Sequence, residues 1–194
     1  GTDVIKVTTT GAIVLHNSTV TGFKTLLHDV AGTGNIKFSE TQVAELTTAT
    51  AKAGRALGIT VAGNGAVSNL DLSSQLQTTG VGTYTIGYTV DNAADVIKAS
   101  TAGLAVDTFT IATGTTAFTG GASLNLVGGA GTDLLNITGT GLVDLTASTF
   151  ATIESLTLDP GAVAEITLTA AQKNLLTGTV TADATDKINI TTMN

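Results

Sequence analysis

Short runs of alternating apolar and polar residues, separated by glycine, asparagine and aspartate, fill most of the chain. In the stretch 83–90 (TYTIGYTV) the larger side chains fall on every second position, which is typical of a strand with one buried face and one threonine-rich face. Threonine suits the second face because its β-branched side chain favours strands and its hydroxyl tolerates water. The pattern predicts strands at 4–8, 12–15, 25–28, 58–61, 84–89, 96–99, 108–112, 123–127, 134–138, 142–145, 155–158, 165–168 and 187–191.

Two stretches carry the start signal of a helix instead. Ser39 and Gln42 have the spacing of a capping box, and the apolar stripe that follows predicts a helix over 40–57. Thr169 and Gln172 repeat the signal and predict a second, shorter helix. Each helix is expected to cover an end or edge of the β structure, because open strand edges need cover.

The chain also repeats itself at an interval of 130 residues. Residues 1–47 align with 131–177 without a gap, and fifteen of the aligned pairs are identical, including leucine, aspartate and glutamine pairs that composition bias does not explain. A shorter echo, an aspartate followed by alternating apolar residues, begins at Asp3, Asp95, Asp133 and Asp186. Since its intervals are uneven, we expect related β units separated by insertions rather than a solenoid with one fixed period.

These patterns predict a mainly β fold, an irregular β-roll or β-solenoid or a sandwich, built from duplicated β units that are each followed by a short capped helix. We divide the chain into a first β unit with its helix at 1–57, a central β insertion at 58–118 and a second β unit at 119–194. Within the central insertion, Gly63-Asn64-Gly65 has the composition of a hairpin turn.

Composition narrows the classes of function. The chain has 40 threonines, 23 glycines, no cysteine and a net charge of −7 with only eight lysines and arginines. So few cations argue against binding to nucleic acid or to anionic membranes, and the lack of cysteine excludes disulfides and thiol chemistry. No apolar run reaches the ~18 residues that a membrane span needs, so we expect no membrane insertion. We expect a processed chain or an excised module that is located outside the cell or on a bacterial cell surface.

One motif points to a cation. Residues 128–136 (GGAGTDLLN) fit the glycine/aspartate nonapeptide G-G-x-G-x-D-x-U-x, in which U is a large apolar residue. The glycines let backbone carbonyls turn towards a cation, and the aspartate supplies charge. Calcium in such rolls is shared between successive turns, and the stretch 120–126 has the form of a degenerate preceding turn. We therefore consider Ca²⁺ as a cofactor, with a plain glycine-rich turn as the alternative; the candidate ligands are Gly129, Gly131, Asp133, Asn125 and Asp144.

The nonapeptide and the run 142–159 that follows it resemble the repeats of RTX-type bacterial surface proteins, and are similar above all to S-layer and adhesin proteins exported by type I secretion. The resemblance covers mainly residues 119–192 and, through the duplication, residues 1–47. It implies calcium-stabilised, β-rich modules that assemble outside the cell. The chain departs from the family in having one near-complete nonapeptide, where the family usually carries runs.

We therefore expect a structural surface protein, an S-layer or filament subunit or module, that self-assembles into a homopolymer or array with the help of calcium. The alternative is an adhesin or carbohydrate-binding module that binds cell-surface polysaccharide, although two tyrosines and five phenylalanines offer few sugar-stacking surfaces. A third possibility is a β-helical polysaccharide enzyme, whose site needs carboxylates together with arginine, lysine or histidine to hold a uronate. We expect no enzymatic activity, because the single arginine, Arg55, falls in the predicted helix. Two weaker metal hypotheses are a His16–His28 pair and an Asp91–Asp95 pair, with chance histidines and a solvated turn as the alternatives.

Overall fold

The chain forms a β-solenoid of about seven coils. The computed structural model describes residues 3–74, 77–80, 83–101, 105–112, 118–159 and 164–192, with the backbone alone for 77–80. All strand pairings in the described part of the chain are parallel. The prediction of a mainly β fold built from duplicated units is thus confirmed, and a solenoid rather than a sandwich is formed.

Among the residues that the structure describes, two α-helices, α1 (Glu40–Glu45) and α2 (Ala170–Leu175), interrupt a long series of strands. The strands are β1 (Asp3–Val7), β2 (Gly11–Val14), β3 (Phe23–His28), β4 (Thr33–Ser39), β5 (Thr48–Ala51), β6 (Ala56–Ala62), β7 (Asn69–Asp71), β8 (Gln77–Gly80), β9 (Thr83–Val90), β10 (Val96–Lys98), β11 (Val106–Ala112), β12 (Asn125–Val127), β13 (Leu134–Thr138), β14 (Gly141–Asp144), β15 (Thr149–Ala151), β16 (Ser155–Leu158), β17 (Ala164–Thr169), β18 (Val180–Thr181) and β19 (Lys187–Thr191).

The described strands form four sheets along the solenoid. The long sheet has the order β18-β16-β13-β11-β9-β6-β4-β2. The early sheet (β1-β3-β5-β8) accompanies the first coils, the middle sheet (β15-β12-β10-β7) the central ones, and the late sheet (β14-β17-β19) the last ones. Paired residues in neighbouring coils are 21 positions apart at Leu135 and Leu156 but 27 apart at Ile59 and Ile86. The coils therefore have no single length, as the uneven spacing of the aspartate echo predicts.

The core lies inside the coils, where every second residue of a strand points inward. In β9 the inward residues Tyr84, Ile86, Tyr88 and Val90 are all buried. Because parallel coils stack in register, like side chains meet along the solenoid axis, and the rings of Tyr88 and Phe109 stack with centroids 5.1 Å apart. The interior is thus a set of apolar columns that each new coil extends.

Both helices begin at the predicted capping boxes, and a buried glutamine links each of them to the preceding corner. Gln172 Nε2 donates hydrogen bonds to the carbonyl oxygens of Leu145 (2.7 Å) and Ser148 (2.6 Å). Gln42 makes the equivalent bonds in the first unit. Each glutamine therefore provides a hydrogen bond to the carbonyl of Ser18 or Ser148 and adds a second bond to the carbonyl of Leu15 or Leu145, which already accepts from the amide of that serine.

The two copies of the repeat have the same local structure but lie on different sides of the solenoid. Ile36 in β4 and Ile166 in β17 are both buried in the strand that precedes a capped helix. Yet β1 belongs to the early sheet while its equivalent β13 belongs to the long sheet, and β4 belongs to the long sheet while β17 belongs to the late sheet. Each strand of the second unit therefore lies one face further around the coil than its equivalent in the first unit.

The predicted helix over 40–57 is wrong beyond Glu45. Residues 48–51 form strand β5, Arg55 lies in a turn, and Leu57 belongs to β6. Threonine and alanine alternate in β5, and the strand pairs with β3 and β8 on its two sides. Tertiary pairing has therefore overridden a pattern that also suits a helix.

The predicted hairpin at Gly63-Asn64-Gly65 is also wrong. This segment is a corner between β6 in the long sheet and β7 in the middle sheet, so the chain turns sideways instead of folding back on itself. The corner is held by the next coil, because the amide of Gly65 donates to Asp91 Oδ2 over 2.7 Å.

Candidate cation site at an acidic ladder

The aspartate echo joins successive coils. Asp95, Asp133 and Asp186 stand on the inward side at the start of a strand, and each carboxylate accepts a hydrogen bond from a backbone amide of the coil before it, whereas Asp3 lies in the first coil and is exposed. Asp133 Oδ1 accepts from the amide of Asp107 over 2.9 Å. Asp95 and Asp186 make the same kind of bond over 2.8 and 3.0 Å. The echo is therefore a coil-stacking motif, and it places carboxylates inside the solenoid.

At one corner this placement brings three acidic residues into line. The register of β11 with β13 and of β13 with β16 sets Asp107, Asp133 and Glu154 at the same level of three successive coils, and we call these residues the acidic ladder. Neighbouring strands are ~4.8 Å apart, so the ladder stacks like charges directly above one another, which is unfavourable without compensation.

The carboxyl groups of the first two residues of the ladder are buried, and only one oxygen of each accepts a hydrogen bond. Asp107 and Asp133 are fully excluded from solvent. Asp107 Oδ1 accepts from the Tyr88 hydroxyl over 3.2 Å, and Glu154 Oε2 accepts from the amide of Asp133 over 2.9 Å. Asp107 Oδ2 and Asp133 Oδ2 have no hydrogen-bond partner among the described residues. Two unpartnered carboxylate oxygens thus lie in the interior of one corner.

Burial and the charge of a neighbouring carboxylate raise the pKa of both carboxyls. Burial, with the nearby charge of Asp133, raises the pKa of Asp107 to about 8. Burial, with the charge of Glu154, raises the pKa of Asp133 to about 6, against the lowering effect of its hydrogen bond from Asp107. A bound cation would favour the ionised forms, since an opposite charge nearby lowers the pKa of a carboxyl.

The glycines of the nonapeptide are required by the stacking of the coils. Gly129 and Gly131 have φ of +141° and +138°, which side chains other than glycine rarely adopt. A Cβ on Gly129 would collide with the carbonyl oxygen of Ser100, and one on Gly131 with that of Ala105. Both carbonyls belong to the coil before the nonapeptide, so the corner is closely packed between its neighbours.

The oxygen atoms at this corner are of the kind that calcium prefers. Ca²⁺ takes six to eight oxygen ligands from carboxylates and backbone carbonyls, and the corner offers carboxylates of Asp107 and Asp133 beside the carbonyls of Ser100 and Ala105. In the described part of the chain, however, no three histidine, cysteine, aspartate or glutamate side chains are arranged so that they could hold a metal ion. A cation here would therefore need backbone carbonyls or water for most of its ligands.

The structure brings together only part of the predicted ligand set. Gly129, Gly131 and Asp133 share the corner between β12 and β13. Asn125 lies at the start of β12, where its amide donates to the carbonyl of Asp95. Asp144 ends β14 in the late sheet, and its Oδ1 accepts from the amide and hydroxyl of Thr146 in a local turn (3.0 and 2.8 Å).

The predicted preceding turn, 120–126, belongs to the same coil as the nonapeptide. It leads into β12 and stacks on the coil before it through the bond from the amide of Ser123 to the carbonyl of Ala93 (2.8 Å). An eight-residue spacing fits the narrow coils of a β-roll, whereas the coils of this solenoid are more than twice as long. The two glycine-rich stretches therefore lie at different corners of one coil.

Sequence reasoning missed Asp107 and Glu154. The signal for Asp107 was available, because it precedes Phe109 and Ile111 on the inward side of an alternating strand. An acidic residue in phase with buried apolar residues indicates a carboxylate inside the coil. Glu154 has no comparable signal, since its place in the ladder depends on the register of β13 with β16.

Of the two weaker metal hypotheses, the His16–His28 pair stays a prediction: His16 lies in the turn after β2, and His28 is the last residue of β3. His28 is buried, and burial together with the charge of Arg55 lowers its pKa. Both of its ring nitrogens lack hydrogen-bond partners among the described residues. Asp95 is occupied by the backbone amides of Ser68, Asp91 and Asn92, as expected for a structural turn.

Within the described residues, no helix has the length and apolar character needed to cross a membrane. Comparisons with protein families, with curated proteins and with solved structures find no match to this chain.

Proposed function

We propose that the chain is a structural module of a bacterial surface layer or extracellular filament, that it self-assembles through the two ends of its solenoid, and that calcium at the acidic ladder stabilises it. The proposal assigns the module no catalytic role. It follows the resemblance to RTX-type surface proteins, and it depends on the β-solenoid fold together with one further observation, the open strand edges at both ends.

The main support for self-assembly comes from the open strand edges at the two ends of the solenoid. Along their outer sides, β1 and β2 at one end and β18 and β19 at the other pair with no described strand. Unpaired edges of this kind are templates for pairing with another chain, and monomeric proteins usually cover them. Contact between different ends of identical subunits is heterologous and gives filaments or sheets rather than closed dimers.

Sedimentation velocity and electron microscopy of the purified chain test the self-assembly. We expect ordered polymers whose amount rises with protein concentration, and more of them in calcium than in chelator. Deleting residues 1–11, which removes β1, should abolish the polymers and leave a folded monomer by circular dichroism. A monodisperse monomer at high concentration, both with calcium and with chelator, would refute the proposal.

Calcium binding is tested separately through thermal stability. A cation that binds the folded state alone stabilises it by RT ln(1 + [L]/Kd), so calcium should raise the melting temperature of the parent chain. Asp133→Asn should remove this gain, while Asp144→Asn, at a corner with its own local turn, should keep it. Equal melting temperatures of the parent in calcium and in chelator would show that the ladder binds no calcium.

A groove beside α2 favours a second candidate, a carbohydrate-binding module. The partly exposed ring of Phe150 lies there among hydroxyl groups, as in sites that stack a sugar and bond its hydroxyls. The groove is lined by Thr146, Ser148, Thr149, Phe150, Thr169, Ala171, Gln172 and Leu175. Binding on a glycan array that is lost in Phe150→Ala would support this function, and an array without any signal would remove it.

A further inference from the structure

The arrangement of the two end coils defines how copies would join. Resting on the proposed self-assembly, we propose that β18 of one copy pairs in parallel with β1 of the next, and β19 with β2. In this register Val180 lies beside Ile5, Ile188 beside Ile13, and Ile190 beside Leu15. The occupant of each open end is thus a second copy of this chain, in one orientation and one register.

The duplication fixes the register. Ile5 pairs with Leu26 in the first unit, and Val180 pairs with Leu156, the equivalent of Leu26, in the second. Leu26 and Leu156 therefore occupy the same place in their units, with Ile5 extending the column on one side and Val180 extending it on the other. Joining the ends in this way continues the column with the spacing found inside each unit.

The neighbouring column supports the same register. Ile13 pairs with Ile36, and Ile188 pairs with Ile166, which is the equivalent of Ile36. Inside the chain, the strand equivalent to β1 is β13. Its edge on the side of the preceding coil pairs with β11. The edge that β1 leaves open is therefore of a type that this chain pairs elsewhere.

The last coil exposes side chains that belong to the core. Val180 and Ile190 point inward, since their partners Leu156 and Leu168 are buried. Both are nevertheless 44% exposed. Their exposure arises along the solenoid axis, where another coil would cover them and remove their apolar surface from water.

Charge favours contact between the first coil of one copy and the last coil of the next over contact between two first coils or two last coils. Residues 1–57 carry five lysines and arginines against four aspartates and glutamates, whereas residues 131–194 carry two against seven. With net charges of +1 and −5, residues 1–57 of one copy attract residues 131–194 of the next, whereas two copies of residues 131–194 would repel each other.

The local charges at one corner agree with this register. Lys6 lies near the end of β1, where its Nζ contacts Asp29 Oδ2 over 2.9 Å, and it remains half exposed. Asp183 and Asp186 lie in the corner between β18 and β19. With β18 beside β1, Lys6 lies beside Thr181 and two positions from Asp183, while the Asp186 carboxylate accepts from the amides of Ala164 and Asp183, so Lys6 meets the acidic corner through Asp183.

Engineered cysteines test the register directly, since the chain has none of its own. Asn189 and Val14 are exposed residues that become direct neighbours in the proposed pairing. Adjacent strands are ~4.8 Å apart, within the range of about 4.4–6.8 Å between Cα atoms that a disulfide bridges. The double variant Asn189→Cys/Val14→Cys should therefore give a ladder of covalent oligomers on a denaturing gel after mild oxidation.

The matched control moves one cysteine two positions along the strand. In Asn189→Cys/Ala12→Cys the Cα atoms would be roughly 8 Å apart, beyond the reach of a disulfide. We expect at least tenfold less cross-linking in this control at equal polymer content. Equal cross-linking of the two variants, or none in either although polymers form, would overturn the register and leave the self-assembly intact. Failure of the parent chain to form polymers would instead refute the proposed function, and the register with it.

Charge reversal provides an independent test. Lys6→Glu should raise the protein concentration needed for polymers at least several-fold, and high salt should weaken the parent in the same direction. Lys52→Glu changes the net charge equally and also loses a contact with Asp29, but Lys52 follows β5, two coils from the junction, and the variant should have little effect. Identical behaviour of the two variants would show that the charge at the junction corner is not part of the contact.

Discussion

The buried carboxyl of Asp107 should make the stability of the chain fall as the pH rises through neutrality. Its pKa is about 8 in the folded chain, against an ordinary value of 3.8 for the exposed group. The folded state therefore holds one proton more than the unfolded state between these values. For an acid whose pKa is raised, the stabilisation is complete below the unfolded pKa and is lost as the pH rises through the folded pKa.

The magnitude follows from this one proton. The free energy of unfolding should fall by ~1.4 kcal/mol per pH unit, and less steeply close to the folded pKa. Between about pH 6.5 and about pH 8 the expected loss is about 1.5–2 kcal/mol. Asp133, with a pKa of about 6, is largely ionised in both states over this range and adds little. His28, whose lowered pKa makes stability rise with pH, acts mainly below its ordinary value of 6.5.

The assay is urea denaturation in chelator at the two pH values, with Asp107→Asn as the test variant. The amide keeps an acceptor for the Tyr88 hydroxyl but does not titrate, so the slope should vanish. Asp144→Asn serves as the matched control because Asp144 lies outside the ladder, and it should keep the slope of the parent. Equal stability of the parent at both pH values, or an unchanged slope in Asp107→Asn, would show that Asp107 does not hold the extra proton of the folded state.

Two further predictions concern the packing of coils and can be checked by the same denaturation assay. Gln172→Met removes both donors from the buried carbonyls near α2 and should cost about 2–4 kcal/mol, while Lys173→Met on the exposed face should cost less than about 0.5; equal costs would show that the glutamine bonds contribute nothing. Gly129→Ala places a Cβ against Ser100 at a positive φ and should cost several kcal/mol, about 2–4. A Cβ on Gly120 would lie in open space, so Gly120→Ala should hardly change the free energy of unfolding. Similar losses in both variants would show that the close contact of Gly129 with Ser100 is not the cause.

Local pattern in the sequence determined much of this fold. Alternation over two residues marked strands such as β9 and β11 because one face of each strand is buried in the coil. Ser39 with Gln42, and Thr169 with Gln172, marked both helix starts because a capping box involves only four consecutive residues. The repeat predicted that Ile36 and Ile166 occupy equivalent strands, since similar sequences form similar local structure.

Tertiary structure decided where these elements lie. The end of α1 at Glu45 and the strand β5 depend on partners in β3 and β8, which local propensity does not reveal. The shift of the second unit by one face around the coil depends on the lengths of the coils between the repeats. In the candidate site, too, one part follows from local sequence and the other from tertiary structure. Asp133 was recognisable from its nonapeptide, whereas the partnership with Asp107 and Glu154 arises from register between residues 21 to 26 positions apart. Burial of those carboxyls, and therefore their raised pKa, is a property of stacked coils and not of any short segment.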